Sequence, residues 1–310
     1  MPPVVKFIIR RILVGVWTML AVSVFIFFAI ELLPGDAASA ALGSTATPEL
    51  LAKFRADFGL DRPAIVRYLE WIWNFLHGDL GRAMPSGAPV AELLGPRILN
   101  TTTLALLTIL ILVPLGIGLG TLAGAREAKR TDRIVSVVTL VLNAVPEFVL
   151  GAAFLLLFAV WTPLFPSVSI LDPSLSPLAQ LSLFVLPTLT LLAAGVTQTT
   201  RMVRASMTTV MQAPYIGMAR LKGIPEWQVI LRHALPNSIG PALQIVAINL
   251  GWLFGGVVVV EAVFEFPGIG SELTQAVNLR DIATVQSLAL LITAVFLFGS
   301  MVADITAAIV

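Results

Sequence analysis

Residues 99–123, LNTTTLALLTILILVPLGIGLGTLA, contain no charged side chain. A bilayer's hydrocarbon core is about 30 Å thick and takes roughly 20 apolar residues to cross as a helix. A single segment in lipid must satisfy its own backbone hydrogen bonds, so this stretch reads as a membrane-spanning helix. Working outward, Ile12–Leu33, Ile134–Trp161, Leu178–Thr199, Ile239–Val260 and Ala283–Ala303 meet the same test. The expected fold is all-α, an integral membrane bundle of six transmembrane helices. Composition agrees: 57% of the 310 residues are hydrophobic, 12% are charged, and the mean hydropathy is +0.95. Soluble domains carry about 25% charged residues.

Charge sets the orientation. Lys6, Arg10 and Arg11 precede the first span, and Arg126, Lys129, Arg130 and Arg133 separate the second from the third. Arg201, Arg204, Arg220, Lys222 and Arg232 lie between the fourth and fifth. The connection 162–177 has no Lys or Arg, and the fifth-to-sixth connection has only Arg280. Basic residues stay inside, so both termini are expected in the cytoplasm. The first apolar run is too long for a signal-peptide core of about 7–15 residues and reads as a retained span. A net charge of +1 gives no basic face for nucleic acid. With no cysteine in the chain, disulfides and thiolate metal sites are excluded.

The organisation expected is residues 1–33 as N-terminus and first span, 34–98 as an extracytoplasmic helical insertion, and 99–310 as the core with a cytoplasmic loop at 207–238. The insertion holds six basic and seven acidic residues, but long loops translocate largely regardless of charge. Thr47-Pro48-Glu49 has the pattern of a helix start, a cap followed by Pro at the first position. Tyr68, Trp71, Trp73 and Phe75 form an aromatic cluster suited to a membrane interface; it reads as an anchoring lid surface or as a ligand-contacting one. Gly116, Gly120 and Gly124, and again Gly251 and Gly255, make small-xxx-small steps for close helix approach, to a partner inside the chain or in a second subunit.

The loop Met207–Ser238 is MTTVMQAPYIGMARLKGIPEWQVILRHALPNS. Pro214 starts a helical turn running through Leu221, Gly223 supplies a left-handed residue past its end, and Pro225 opens the next helix with Glu226 in its first turn. The expectation is two short helices joined by a tight bend, stiffened by Ile224, Trp227, Val229 and Ile230. Such a knuckle is shaped for docking on a soluble partner.

This loop resembles the E-A-A-x3-G-x9-I-x-L-P loop of binding-protein-dependent ABC importer permeases. Gly217-Met218-Ala219 occupies the E-A-A positions, Gly223 follows in register, His233 falls at the Ile position and Leu235-Pro236 closes the motif; Glu and Ile of the pattern are thus replaced. Tyr215, Ala219-Arg220, Lys222-Gly223, His233 and Asn237 are similar to the oligopeptide, dipeptide and nickel permease variant. Leu33-Pro34-Gly35-Asp36, His77-Gly78-Asp79-Leu80-Gly81 and Val260-Glu261-x2-Phe264-x2-Pro267-Gly268-Ile269-Gly270 resemble the same group, in the same order. That group often carries a short basic tail past the last span, where this sequence stops at Val310.

The resemblance implies a permease subunit of an ATP-driven importer in the cytoplasmic (inner) membrane, moving peptides or similar small solutes by alternating access. It implies a second homologous permease subunit, two cytoplasmic ATPase subunits carrying ATP and Mg, and an extracytoplasmic solute-binding protein. The docking loop would be built from Tyr215, Ala219, Arg220, Gly223, Pro225, His233, Leu235 and Pro236. Nickel and glycosides remain open as substrates.

An ionisable group at bilayer depth is costly and usually functional. Glu147, after Asn143 and Pro146 in the middle of the third span, is the first candidate: with Asn143 it lines a route or gate, or is a paired structural carboxylate. Pro146 frees a carbonyl and kinks the helix there. Glu31 and Glu261 lie near outer span ends, where interfacial water accounts for them; Glu261 is kept as a pathway candidate. Arg201 and Arg204 read as headgroup anchors, and Asp304 as a partner of a cytoplasmic Arg or a solvated group. With no G-x4-G-K-[ST] loop the chain is expected to bind no ATP, and with His77 and His233 on opposite sides it holds no metal. No catalytic set appears. The rival reading is a self-sufficient secondary transporter or channel with Glu147 as its coupling carboxylate.

Overall fold

A computed structural model describes residues 3–32, 36–43, 46–240, 253 and 257–309. Four helices among them are long and apolar enough to cross a membrane: Phe7–Glu31, Val90–Gly124, Pro177–Met211 and Ile282–Val302. Arg130–Ala144 and Glu147–Trp161 qualify as a pair, bent by 102° at their junction. The expected third span is therefore not one rod. Pro146 has no N–H for the ladder and pushes Val145 into extended backbone (φ −92°, ψ 127°). The fourth span starts with a 3₁₀ stretch, Pro177–Phe184, and runs past Thr199 to Met211. Most of the fifth, including Gly251 and Gly255, and the Leu33-Pro34-Gly35 motif lie outside the described residues.

The helices are α1 (Pro3–Glu31), α2 (Ala37–Leu42), α3 (Pro48–Asp57), α4 (Ala64–Leu76), α5 (Val90–Gly124), α6 (Arg130–Ala144), α7 (Glu147–Leu155, continued by a π stretch to Trp161), α8 (Val185–Met211), α9 (Pro214–Leu221), α10 (Glu226–Gln228), α11 (Leu235–Ser238), α12 (Ile269–Asn278) and α13 (Ile282–Ile309). They divide into two compact units, Met1–Thr101 with Pro267–Val295, and Thr102–Phe266 with Phe296–Val310.

In the first unit the insertion folds onto α1. Thr47 caps α3, its hydroxyl accepting from Leu50 N (3.3 Å), with Pro48 first in the helix. Asp36 caps α2 through Ser39 and also binds Arg55 (2.9 Å), which holds the Asp36 carboxyl down at about 2. On α4, Tyr68 and Trp71 turn inward: the Tyr68 hydroxyl lies 2.8 Å from Ser23 Oγ, and both rings pack on Phe27. Glu31 is not simply solvated, because Arg67 pairs with it. The His77–Gly81 motif serves packing: the Leu80 carbonyl accepts from Ser287 Oγ (3.0 Å), and Gly81 at φ +82° lies against Ala283. The Pro267–Gly270 motif docks on α5, with Asn100 Nδ2 donating to the Pro267 carbonyl (2.9 Å), Ile269 N donating to Thr101 Oγ1 (3.0 Å), and Arg97 paired with Glu272 (2.6 Å).

In the second unit the α5 glycines meet α8. A Cβ added at Gly116, Gly120 or Gly124 would lie 2.8, 2.5 and 2.7 Å from Thr199, Val203 and Met207. Their partner is thus internal. On the opposite side of α8, Thr197 Oγ1 donates to the Thr139 carbonyl of α6 (3.3 Å), and Arg204 forms a two-pronged ion pair with Asp132. Arg204 is accordingly not a headgroup anchor. Leu104, Phe184, Leu191, Val257, Phe264 and Phe266 belong to the apolar core of this unit.

Candidate coupling loop and polar membrane residues

Helix α8 ends at Met211, and Pro214 restarts the chain as α9, whose free first position suits a residue without N–H. At its far end Gly223 N donates to the Arg220 carbonyl (2.9 Å) and Ile224 N to the Ala219 carbonyl (3.3 Å). That double closure is a Schellman motif, and it needs a left-handed residue, here Gly223 at φ +75°. Ile224 then folds back on the cluster containing Ala219. Pro225 is the cap residue just outside the next helix, which begins at Glu226. Its backbone continues through a π turn, Val229–Ala234, into α11. Pro236 explains that turn, since it lacks the N–H that a regular helix would use there.

The elbow has two faces. Inward, Met207, Ile216, Ala219, Val229 and Ala234 are buried together. Outward, Tyr215, Met218, Leu221, Trp227 and Leu231 are exposed, Leu221 at 84%. Two cross-links stiffen the bend and its second arm: Arg220 binds Glu226 through both carboxylate oxygens (3.0 and 2.6 Å), and Asn237 Nδ2 donates to the His233 carbonyl (2.7 Å). Of the eight predicted loop residues, Ala219 is buried, His233 and Leu235 are half-buried, and Tyr215, Arg220, Gly223, Pro225 and Pro236 sit at or near the surface. The apolar Met218, Leu221 and Leu231 escaped the sequence reading; their spacing opposite Ile216 and Ala219 is the signal that marks them.

The Arg220 guanidinium holds Glu226 below its ordinary value of 4.5. A lowered carboxyl contributes stability that is complete above the unfolded value and fades as pH falls through the folded one. The pair is half-exposed, so about 0.5 kcal/mol is expected. A spin label at residue 221 should gain mobility below about pH 4.5. The same label in Glu226→Gln should be mobile at every pH, and identical acid profiles for the two proteins would contradict the pairing.

The three intramembrane candidates are not a cluster. Asn143 is exposed near the end of α6, whereas Glu147 is half-buried and opens α7 beyond the 102° break. Glu147 is thus the first residue of α7, at the bend that joins the two helices. Glu261 is completely buried, which corrects its assignment to interfacial water. Its helical neighbours Val257, Val260 and Phe264 are drawn into the apolar core and take it with them. No hydrogen bond among the described residues joins Asn143 or Glu147 to Glu261.

Residues 116–310 match the family described as "Binding-protein-dependent transport system inner membrane component", and residues 4–119 match its N-terminal membrane component. The chain belongs to this family. It is 35% identical over 298 residues to a putative peptide transport system permease protein of Brucella abortus, covering 96% of this chain and 95% of that protein. It is 31% identical over 299 residues to a probable peptide ABC transporter permease of Sinorhizobium fredii, covering 96% of each. It is 32% identical over 300 residues to a glutathione transport system permease protein of Salmonella typhi, covering 97% and 95%. This permease subunit of an ABC importer is a multi-pass inner-membrane protein, not an enzyme, and it works with ATPase and binding-protein partners.

Proposed function

We propose that this permease subunit moves peptides or similar small solutes, as half of a two-permease core with a second related chain. In this reading six spans keep both termini on one side, and the basic loops assign that side to the cytoplasm. Two ATPase subunits, which hold the ATP and Mg, dock on the Tyr215–Asn237 elbows of the two permeases, and a solute-binding protein delivers cargo outside. ATPase closure draws the elbows together, and the bundle swings between inward-open and outward-open states as rigid bodies.

The elbow carries this reading. Its inner face is packed and its bend closed by a Schellman motif, so a push on the outer apolar face reaches α8 undamped. Peptide leads the substrate classes because the relatives are named for peptide and glutathione transport. The chain has no native cysteine, so Leu221→Cys gives one clean attachment point. Cross-linking from that site should capture the ATPase in inside-out vesicles. Capture of no ATPase, or labelling of that cysteine from outside by an impermeant maleimide, would sink the assignment.

Glu147, with Asn143 across the break, is the proposed polar point of the route, and Glu261 is a separate pathway candidate. A charge worth about 1 kcal/mol to a passing solute changes a rate about fivefold. Glu147→Gln should therefore alter transport or basal ATP hydrolysis by about that factor. Unchanged rates and affinity would leave Glu147 a structural residue.

A further inference from the structure

The first unit holds an open cleft of about 480 Å³, within the roughly 300–1,000 Å³ range of small-molecule sites. Part of its wall is apolar: Phe27, Phe58, Trp71 and Met84. The rest is polar, and several of those groups are left without partners. Gln286, on α13, is only 4% exposed, yet its amide has no hydrogen-bond partner among the described residues. Trp71 Nε1 is fully buried without an acceptor among the described residues, and native structures pair nearly all such groups because leaving one unmade is costly.

The charges in the wall are also uneven. Arg62 is neutralised by Glu70, and Arg67 by Glu31. Asp57 has no cation beside it among the described residues, and it ends α3, where the helix dipole is already negative. Among the described residues Asp79 accepts only from Gly81 N (2.9 Å). Arg82 has no carboxylate beside it among the described residues, where its acceptor is the Gly87 carbonyl at 3.4 Å. One cleft therefore offers carboxylates and a guanidinium at its exposed rim, an amide without a hydrogen-bond partner and an aromatic wall.

We infer that this cavity is a binding site for a short zwitterionic peptide, in which Gln286 pairs with a peptide group, Asp57 receives the ammonium end and Arg82 the carboxylate. A primary amide offers one donor and one acceptor side by side, the complement of a backbone amide. The site would hold cargo in the insertion, apart from the intramembrane residues. This deepens the peptide reading and rests on it.

The test is calorimetric titration of the full chain, assembled with its partner permease in nanodiscs, using the tripeptide Ala-Phe-Ala and its N-acetylated form. The wild type should bind the free tripeptide, Gln286→Leu should weaken it tenfold or more, and acetylation should weaken binding to the wild type but not to Asp57→Asn. Asp57 lies on an exposed helix end, so that variant covers the case in which Gln286→Leu misassembles. No binding at millimolar tripeptide, or equal binding by all three proteins, overturns the site. So does a Gln286→Leu defect confined to docking of the ligand-free binding protein, since the cavity would then be a protein contact. If the complete transporter carries the tripeptide while all variants bind it equally, the peptide reading stands and the cavity falls. If the transporter carries no peptide while the chain binds it through Gln286, the site stands and the substrate reading falls.

Discussion

Gly120→Ala is expected to lower the unfolding midpoint of the purified subunit sharply, whereas Gly118→Ala two residues away should leave it unchanged. The added methyl at residue 120 would stand 2.5 Å from Val203 Cβ and 2.7 Å from the Thr200 carbonyl oxygen, and backbone cannot rotate out of the way. At residue 118 nothing lies within 4 Å. Overpacking of a tight contact costs roughly 1–3 kcal/mol. In lipid the α5–α8 seam depends on van der Waals fit, because tails are as apolar as the side chains they would replace. Val203 belongs to the same helix that leads into the elbow, so transport should fall with stability. Equal midpoints for the two alanine variants would refute the seam.

The second large effect concerns Gly223. Gly223→Val must hold a β-branched residue at φ +75°, a strain of about 1–3 kcal/mol that persists although space is open around it. The bend should relax, and the outer face of α9 should lose its fixed angle to α8. Expected is a loss of transport of tenfold or more with normal membrane insertion and continued ATP hydrolysis by the partners. Gly223→Asn should retain more transport than Gly223→Val, since Asn tolerates the left-handed region. Gly217→Ala, with an open surrounding and no positive φ, is the matching control. Full transport by Gly223→Val would remove the elbow from the coupling account.

The elbow was legible because its signals are local. A proline at a helix start, a glycine before a β-branched residue and a second proline each act on their own backbone, and Gly223 adopts the predicted left-handed turn. The existence of four of the spans was legible for a similar reason, since composition alone decides whether a segment tolerates lipid. The third span was read as one kinked rod because hydropathy averages across Pro146 and carries no angle. Glu261 was misplaced because proximity to a span end does not tell whether a neighbouring element will cover it. The Arg204–Asp132 pair joins residues far apart in sequence, and i,i+3 spacing with Arg201 pointed to a shared face that only Arg204's distant partner overrides. Gln286 gave no signal at all, because an isolated amide in an apolar run acquires meaning only from the walls around it.

The sharp corner between α6 and α7 limits what can lie beside it. Two helix ends meet there, leaving carbonyls of the α6 end and amides of the α7 start without the ladder partners that an unbroken rod would give them. Acyl chains offer no hydrogen bonds, so an interrupted backbone at membrane depth survives only against other protein or against water. Asn143, Ala144 and Pro146 are uncovered in the isolated chain. In the working assembly this corner must turn away from the oil, and hydration or a neighbouring subunit has to meet it.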